Sequence, residues 1–325
     1  VFTIPKRKEY LDELQKKLES LKKIIVVGAG FIGVEVADEL NKKGYEITLV
    51  ELLPHILGIA FDEEFAEAAK ANITERGVNV LTGVGIKEIN GPGKVESVTL
   101  SDGSTLEADA VILSLGYSPN TKLAQDMGLA INKCGFIETD QYKRTSHKDI
   151  FAVGDCSEKK DFLTGKVSRV MLASTACAES RVAGLNLYSL STVSTFRGTI
   201  GIYSTCIGGL ALGVAGLTEN VARSEGFDIV TASFTGMDTH PGCLEHTHKQ
   251  TVKLIVSKKN GVILGGEAMG GLTVGELTNV LGFIIQNDMT INDLLVAQIG
   301  TQPMLTASPA GYPLIKAAEA AAKLL

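Results

Sequence analysis

Thirty residues, KKIIVVGAGFIGVEVADELNKKGYEITLVE at 22–51, leave this chain few choices of fold. A β-branched run at 24–27 reads as a buried parallel strand. Gly28, Gly30 and Gly33 follow it, a helix is predicted over 31–43, and a second strand over 47–50. This is the pattern of a β-α-β unit whose first turn holds a dinucleotide. Gly28 permits the sharp turn, Gly30 lets the backbone approach a pyrophosphate because it has no Cβ, and Gly33 lets the helix pack closely on the strand. The helix N-terminus offers unpaired amides and roughly half an elementary charge, which favour an anion without any Lys or Arg. Ala29, Phe31 and Ile32 belong to the same turn and are expected to line it. Glu51 ends the second strand eighteen residues after Gly33, where a carboxylate can accept from a ribose 2′-hydroxyl and would repel a 2′-phosphate. Leu52 comes next and no Lys or Arg occurs through residue 60, so the expected nucleotide is NADH rather than NADPH.

The 325-residue chain has room for two or three domains, with an ordinary globular mixture of 45% hydrophobic and 21% charged residues. A net charge of −6 argues against a general nucleic-acid surface, and the basic clusters at 6–8 and 22–23 read as solvated helix flanks. The five cysteines, at 134, 156, 177, 206 and 243, are odd in number and scattered without a CxxC. That usage suits a reducing cytoplasm better than a disulfide framework. The most apolar stretch, 202–217, contains four glycines and is too short for a comfortable membrane span, so a buried strand pair is expected there. The chain opens on Val with an amphipathic segment already in progress, and no secretory leader is read there. Leu11, Leu14, Leu18 and Leu21 predict a helix over 9–23.

After Glu51, residues 62–77 predict a helix capped by Asp62, followed by a strand at 78–81 and two short strands at 86–89 and 95–100 around glycine turns. An apolar strand at 110–115 ends on Gly116 and a Pro119-Asn120 turn, and is expected to start a new sheet. A further strand at 150–153 stops at Gly154-Asp155, and a helix of small residues is predicted over 170–190. From about 195 the chain turns to glycine-rich strands, with a hairpin over 249–271 around Asn260-Gly261. Helices are predicted at 274–287, 291–296 and 314–325.

The motifs GAGFIGVE, DAVILSLGYSPNT, DIFAVGDC, GLTENVARSEG and KLIVSKKNGVILGGEAMG occur in that order along the chain. In this the sequence resembles the pyridine-nucleotide-disulfide oxidoreductases. Within them it resembles the single-cysteine branch of NADH oxidases, NADH peroxidases and coenzyme A-disulfide or persulfide reductases. The resemblance implies an α/β fold in which a Rossmann-like NAD domain is inserted in a partial FAD domain and followed by an α+β dimerisation domain. The implied boundaries are a lead-in helix and linker at 1–22, an NAD(H)-binding domain at 23–106, the C-terminal half of an FAD domain at 107–192, and a dimerisation domain at 193–325. It implies FAD and NADH as cofactors, with hydride passed from NADH through flavin to oxygen, peroxide or a small disulfide or persulfide. A homodimer in the cytoplasm is implied, without nucleic acid or membrane. Glu35 would orient the nicotinamide, and Gly116 would sit in the loop returning to the FAD domain. Gly154 and Asp155 would hold the flavin's ribityl chain, and the helix start at Ala173, Ser174 and Thr175 would face the flavin. Tyr312 would reach across the dimer to a sulfur or thiolate.

The family's N-terminal FAD-binding GxGxxG unit and redox cysteine have no counterpart in the sequence. The strands at 110–115 and 150–153 are therefore expected to lack neighbours, which another segment would have to supply. The alternative is a truncated, non-catalytic module that binds NADH and dimerises. Cys156 is expected to pack rather than react. Cys243 lies with His240, His246 and His248 in DTHPGCLEHTH, a set that could bind zinc or activate a thiol, but surface and strand positions are expected there and no metal site is assigned. Gln302 precedes Pro303 where the glutathione type carries a His-Pro pair, so that acid-base role is not expected.

Overall fold

The computed structural model describes residues 1–190 and 195–325. The first part runs β1 (Phe2–Thr3), α1 (Lys8–Leu18), β2 (Lys23–Val27), α2 (Phe31–Lys42), β3 (Glu46–Glu51), α3 (Glu63–Glu75) and β4 (Asn79–Thr82). Then come β5 (Ile86–Asn90), β6 (Ser97–Leu100), β7 (Thr105–Glu107), β8 (Ala110–Leu113), α4 (Lys122–Asp126) and α5 (Ala173–Leu185). The last part is β9 (Ile202–Ile207), β10 (Leu210–Gly216), α6 (Glu219–Ser224), β11 (Ile229–Met237), β12 (Lys249–Ser257) and β13 (Ile263–Gly270), closed by α7 (Val274–Gln286), α8 (Ile291–Leu295) and α9 (Pro313–Ala322).

One sheet is parallel, in the order β1-β8-β2-β3-β4, and a second is antiparallel, in the order β11-β12-β13-β10-β9. A small antiparallel sheet, β5-β6-β7, rides on the first through Val98, Leu100 and Val111. In β2 four of five residues are buried, as a central parallel strand covered on both faces requires. Each fully buried aliphatic chain such as Ile24, Leu49 or Ile112 contributes about 1.5–3 kcal/mol.

The two large sheets share a core. Ile207, Leu212 and Val214 of the antiparallel sheet lie in one cluster with Ile24, Leu49, Phe65 and Ile112 of the parallel unit. Polar links reinforce the contact. Buried Asp38 of α2 pairs with Arg76 and accepts from the Gly208 N–H at 3.3 Å. Its burial acts to raise the carboxyl, but bonds from Lys42, Arg76 and Gly208 outweigh it and hold it below the usual range. Asp62, Lys253 and Glu267 form the second link. Lys253 Nζ reaches Asp62 at 2.9 Å and Glu64 at 2.6 Å, and the fully buried Glu267 accepts the Asp62 N–H at 2.8 Å. A second core lies between β12, β13, α7 and α9.

Four expectations need correction. The strand at 110–115 does not begin a new sheet, because β8 pairs with β1 on one side and β2 on the other. It therefore does not lack neighbours; a doubly apolar run signals burial but not the identity of the partner strands. Residues 150–153 form a single bridge between Arg144 and Phe151 rather than a strand. Asp62 does not cap its own helix: its carboxylate accepts from the N–H groups of Glu219 and Asn220, at 2.9 and 3.2 Å, at the start of α6. The helix expected over 9–23 also ends early, at Leu18, since Lys23 is needed in the sheet. The boundary expected at 192/193 lies outside the described residues. Among the described residues no helix is long and apolar enough to cross a membrane.

Candidate functional site

The loop between β2 and α2 is built by its three glycines, each under a different constraint. Gly28 has φ +89°, donates its N–H to Val50 O at 2.8 Å, and would put a Cβ 2.6 Å from Ser114 O. A Cβ on Gly33 would lie 1.8 Å from Gly28 O. Gly30 is the opposite case, with open space where its Cβ would be. It is the N-cap of α2 and has no side chain to cap the helix, whose first intrahelical bond is Val34 N–H to Gly30 O at 3.0 Å. The start of α2 is thus uncapped, with open space at Gly30 and no acid in the first turn, a chemistry that fits a diphosphate. Ser114 locks the loop from beneath, its hydroxyl donating to the carbonyls of Val27 and Gly28 at 2.7 and 2.8 Å.

Glu51 stands beside this loop. Its Oε2 accepts the Ala29 N–H at 2.6 Å and its Oε1 the Leu53 N–H at 2.9 Å, so it ties the glycine turn to the 52–60 loop. A carboxylate has about four acceptor positions, so two bonds leave capacity for a diol. Leu52 is 68% exposed at the lip. His55 in the same loop is held by Glu67 at 2.8 Å.

Two residues expected in the crevice also contact the antiparallel sheet. The Phe31 ring stacks on Tyr203 of β9, with centroids 5.2 Å apart, and meets Phe61 edge-on at 5.9 Å. Glu35, one turn into α2, accepts the Thr205 hydroxyl at 2.8 Å. Tyr203 went unnoticed in the sequence, where it is one aromatic in a glycine-rich strand. Burial, with the charges of Tyr117 and Asp161 nearby, pushes its hydroxyl up to about 12. Ile32 is 37% exposed and lines a groove with Leu11 and Leu14 of α1.

The second glycine turn, Gly154–Cys156, is a 3-10 turn facing the start of α5. Gly154 has φ +77° and would put a Cβ 3.3 Å from the Ala176 Cβ. Asp155 is exposed, and its charge reaches Tyr117, whose own hydroxyl is raised first by burial and then by Asp155. Gly116, in the loop after β8, has φ +94° and is exposed. At the start of α5, Ala173 and Ser174 are exposed and no side chain caps the helix, whereas Thr175 is buried with its hydroxyl 2.8 Å from that of Thr199. The turn and the helix start therefore present one exposed carboxylate and free amides side by side, which suits a polyol chain with a polar head.

Tyr312 lies apart from both turns. It is the N-cap of α9, packed against the second core, and burial raises its hydroxyl. The half-buried Cys156 thiol is likewise raised by burial and donates weakly to Val153 O at 3.5 Å, a packed rather than a reactive thiol. His248 Nδ1 lies 3.4 Å from Asp238, and Cys243 is exposed and free.

A family model described as "Pyridine nucleotide-disulphide oxidoreductase" matches residues 3–180, and one described as its "dimerisation domain" matches residues 202–310. Among curated proteins, an NADH oxidase of Enterococcus faecalis is 30% identical over 290 residues, covering 89% of this chain and 64% of the relative. A solved NAD-dependent persulfide reductase from A. fulgidus superposes with a TM-score of 0.92 at 29% identity, covering 99% of this chain and 59% of that one. A water-forming NADH oxidase from Lactobacillus brevis, solved with NADH bound, gives a TM-score of 0.90 at 26% identity over 99% of this chain and 70% of that one. The chain thus spans 64% of the length of the Enterococcus relative.

Proposed function

This chain belongs to the pyridine nucleotide-disulphide oxidoreductase family, and we propose that it serves an NADH-dependent flavoprotein oxidoreductase. In this reading hydride equivalents pass from NADH through FAD to a small acceptor: oxygen, peroxide, or a disulfide or persulfide such as that of coenzyme A. The flavin, when bound, supplies the capacity to take up two electrons and release them singly or in pairs. The chain's own residues bind and orient. Gly28, Ala29, Gly30 and Gly33 grip the NADH diphosphate through the amides of α2, with Phe31 and Ile32 shaping the turn. Glu51 holds the adenosine ribose while bracing the loop that carries Leu52. Glu35, steadied by Thr205, orients the nicotinamide carboxamide.

Gly116, Gly154 and Asp155 hold the flavin's sugar-like chain, and the amides of Ala173, Ser174 and Thr175 face its polar edge. The units would follow the expected boundaries, a lead-in at 1–22, NADH binding at 23–106, flavin binding at 107–192 and dimerisation at 193–325, except that β1 and β8 pair within the sheet of the NADH unit and so go with it. Two copies associate through the last unit, where Leu272 just before α7 and Phe283 on it are 76% and 65% exposed, and Tyr312 serves the partner's acceptor site. Five free cysteines suit the cytoplasm.

The observation that carries this reading is the open, uncapped start of α2 beside Glu51. Purified protein with a yellow absorbance band that NADH bleaches supports it, whereas colourless protein that binds NADH leaves only a nucleotide-binding and dimerising module. Glu51→Ala should lower the preference for NADH over NADPH about tenfold or more, roughly the loss of one charged hydrogen bond. An unchanged ratio removes the ribose role.

A further inference from the structure

We propose that Glu179, Lys143 and Lys159 are positioning residues that clamp the Gly154–Cys156 turn so that Asp155 is aimed at the flavin's ribityl hydroxyls, an inference that rests on the flavin reading above. All three side chains are buried, at 0%, 1% and 3% exposure, directly beneath the turn. Glu179, on α5, accepts the Gly154 N–H at 2.6 Å and the Ser157 hydroxyl at 3.1 Å through Oε2. Its Oε1 faces the Lys143 ammonium at 3.0 Å, and that ammonium also donates to Glu158 O at 2.8 Å. Lys159 Nζ donates to Gly154 O at 2.9 Å and to Ser157 O at 3.0 Å.

The Gly154 N–H and C=O are therefore both held by buried charged groups. Asp155, between Gly154 and Cys156, is left exposed. Burial holds Lys159 below the usual lysine range, a sign of how dry the site is. Dry charges are costly, and an apolar trio of similar volume would serve packing alone as well or better. What that trio could not do is grip an amide and a carbonyl directionally. The three charges thus serve the geometry of the turn, and through it the carboxylate that the turn presents.

The test measures FAD dissociation by recovery of free-flavin fluorescence, together with melting of the flavin-free protein, on the full-length protein. Lys159→Met removes the carbonyl clamp while leaving Glu179 paired with Lys143, and should weaken FAD binding about tenfold with little change in melting temperature. The double variant Lys143→Met, Glu179→Leu removes the amide clamp together with its ion pair, leaving Lys159 on the carbonyls of Gly154 and Ser157, and should act alike, whereas Lys143→Met, Glu179→Gln retains an acceptor and should largely restore affinity. Asp155→Ala separates the clamp from the flavin site itself. If it weakens FAD while Lys159→Met and the Leu double variant bind FAD as the parent does, the clamp is overturned and the flavin site stands. If Asp155→Ala itself leaves FAD affinity unchanged, the flavin reading falls and the clamp with it. Should the Leu double variant not fold, Lys159→Met decides.

Discussion

The glycines of the first turn divide into those the protein needs to fold and one it needs only to bind. A methyl group on Gly33 collides with the Gly28 carbonyl, whereas one on Gly30 meets nothing. Gly33→Ala should therefore cost about 2 kcal/mol or more in denaturant unfolding, as backbone overpacking does. Gly30→Ala should unfold within about 0.5 kcal/mol of the parent yet bind NADH at least about tenfold more weakly, by titration of nucleotide fluorescence. Matching losses of affinity and stability in the two variants would show that Gly30 faces no ligand. The glycine spacing was legible because each job demands that one residue type. The clamp beneath Asp155 was not: lysines at 143 and 159 read as surface residues, and only tertiary structure shows them buried together.

Among elements, α2 carries the nucleotide amides, and its first residue is fastened to the antiparallel sheet by the stack of Phe31 on Tyr203. Tyr203→Leu should release that end, costing about 0.5–1.5 kcal/mol of stability and weakening NADH binding, while Tyr203→Phe should change neither much. Equal NADH affinities in all three proteins would detach the stack from nucleotide binding. Strand and helix identities were readable wherever the apolar period was long, as in β2, α2 and the β12–β13 hairpin. Pairing was less so. The run of β8 announces burial on both faces, but nothing local says that its neighbours are β1 and β2, brought from about a hundred residues upstream. Asp62 shows the same limit, since an acid before a helix normally caps it, and here a tertiary contact claimed the carboxylate.

At the level of the whole molecule, the parallel and antiparallel sheets meet across a fully buried acid. Burial first, then the adjacent Asp62 charge, pushes the Glu267 carboxyl up to about 9. Asp62 would also be raised by burial, but bonds from Glu267, Glu219 and Lys253 keep it low. A folded value above the unfolded one near 4.5 means that Glu267 stabilises the fold fully at acid pH, and that this contribution is lost as pH rises toward 9. The slope it imposes is at most about 1.4 kcal/mol per pH unit. Glu267→Gln, which cannot ionise, should be more stable than the parent at pH 8, with the advantage shrinking toward pH 5, in denaturation curves taken at several pH values. Parallel curves would show that Glu267 keeps its ordinary acidity. The cluster containing Ile207, Leu212 and Val214 carries a practical consequence as well. Excising the cofactor cradle as a stand-alone reagent would strip the grease from its underside, so a minimal version would need that floor repainted with polar side chains before it stayed in solution.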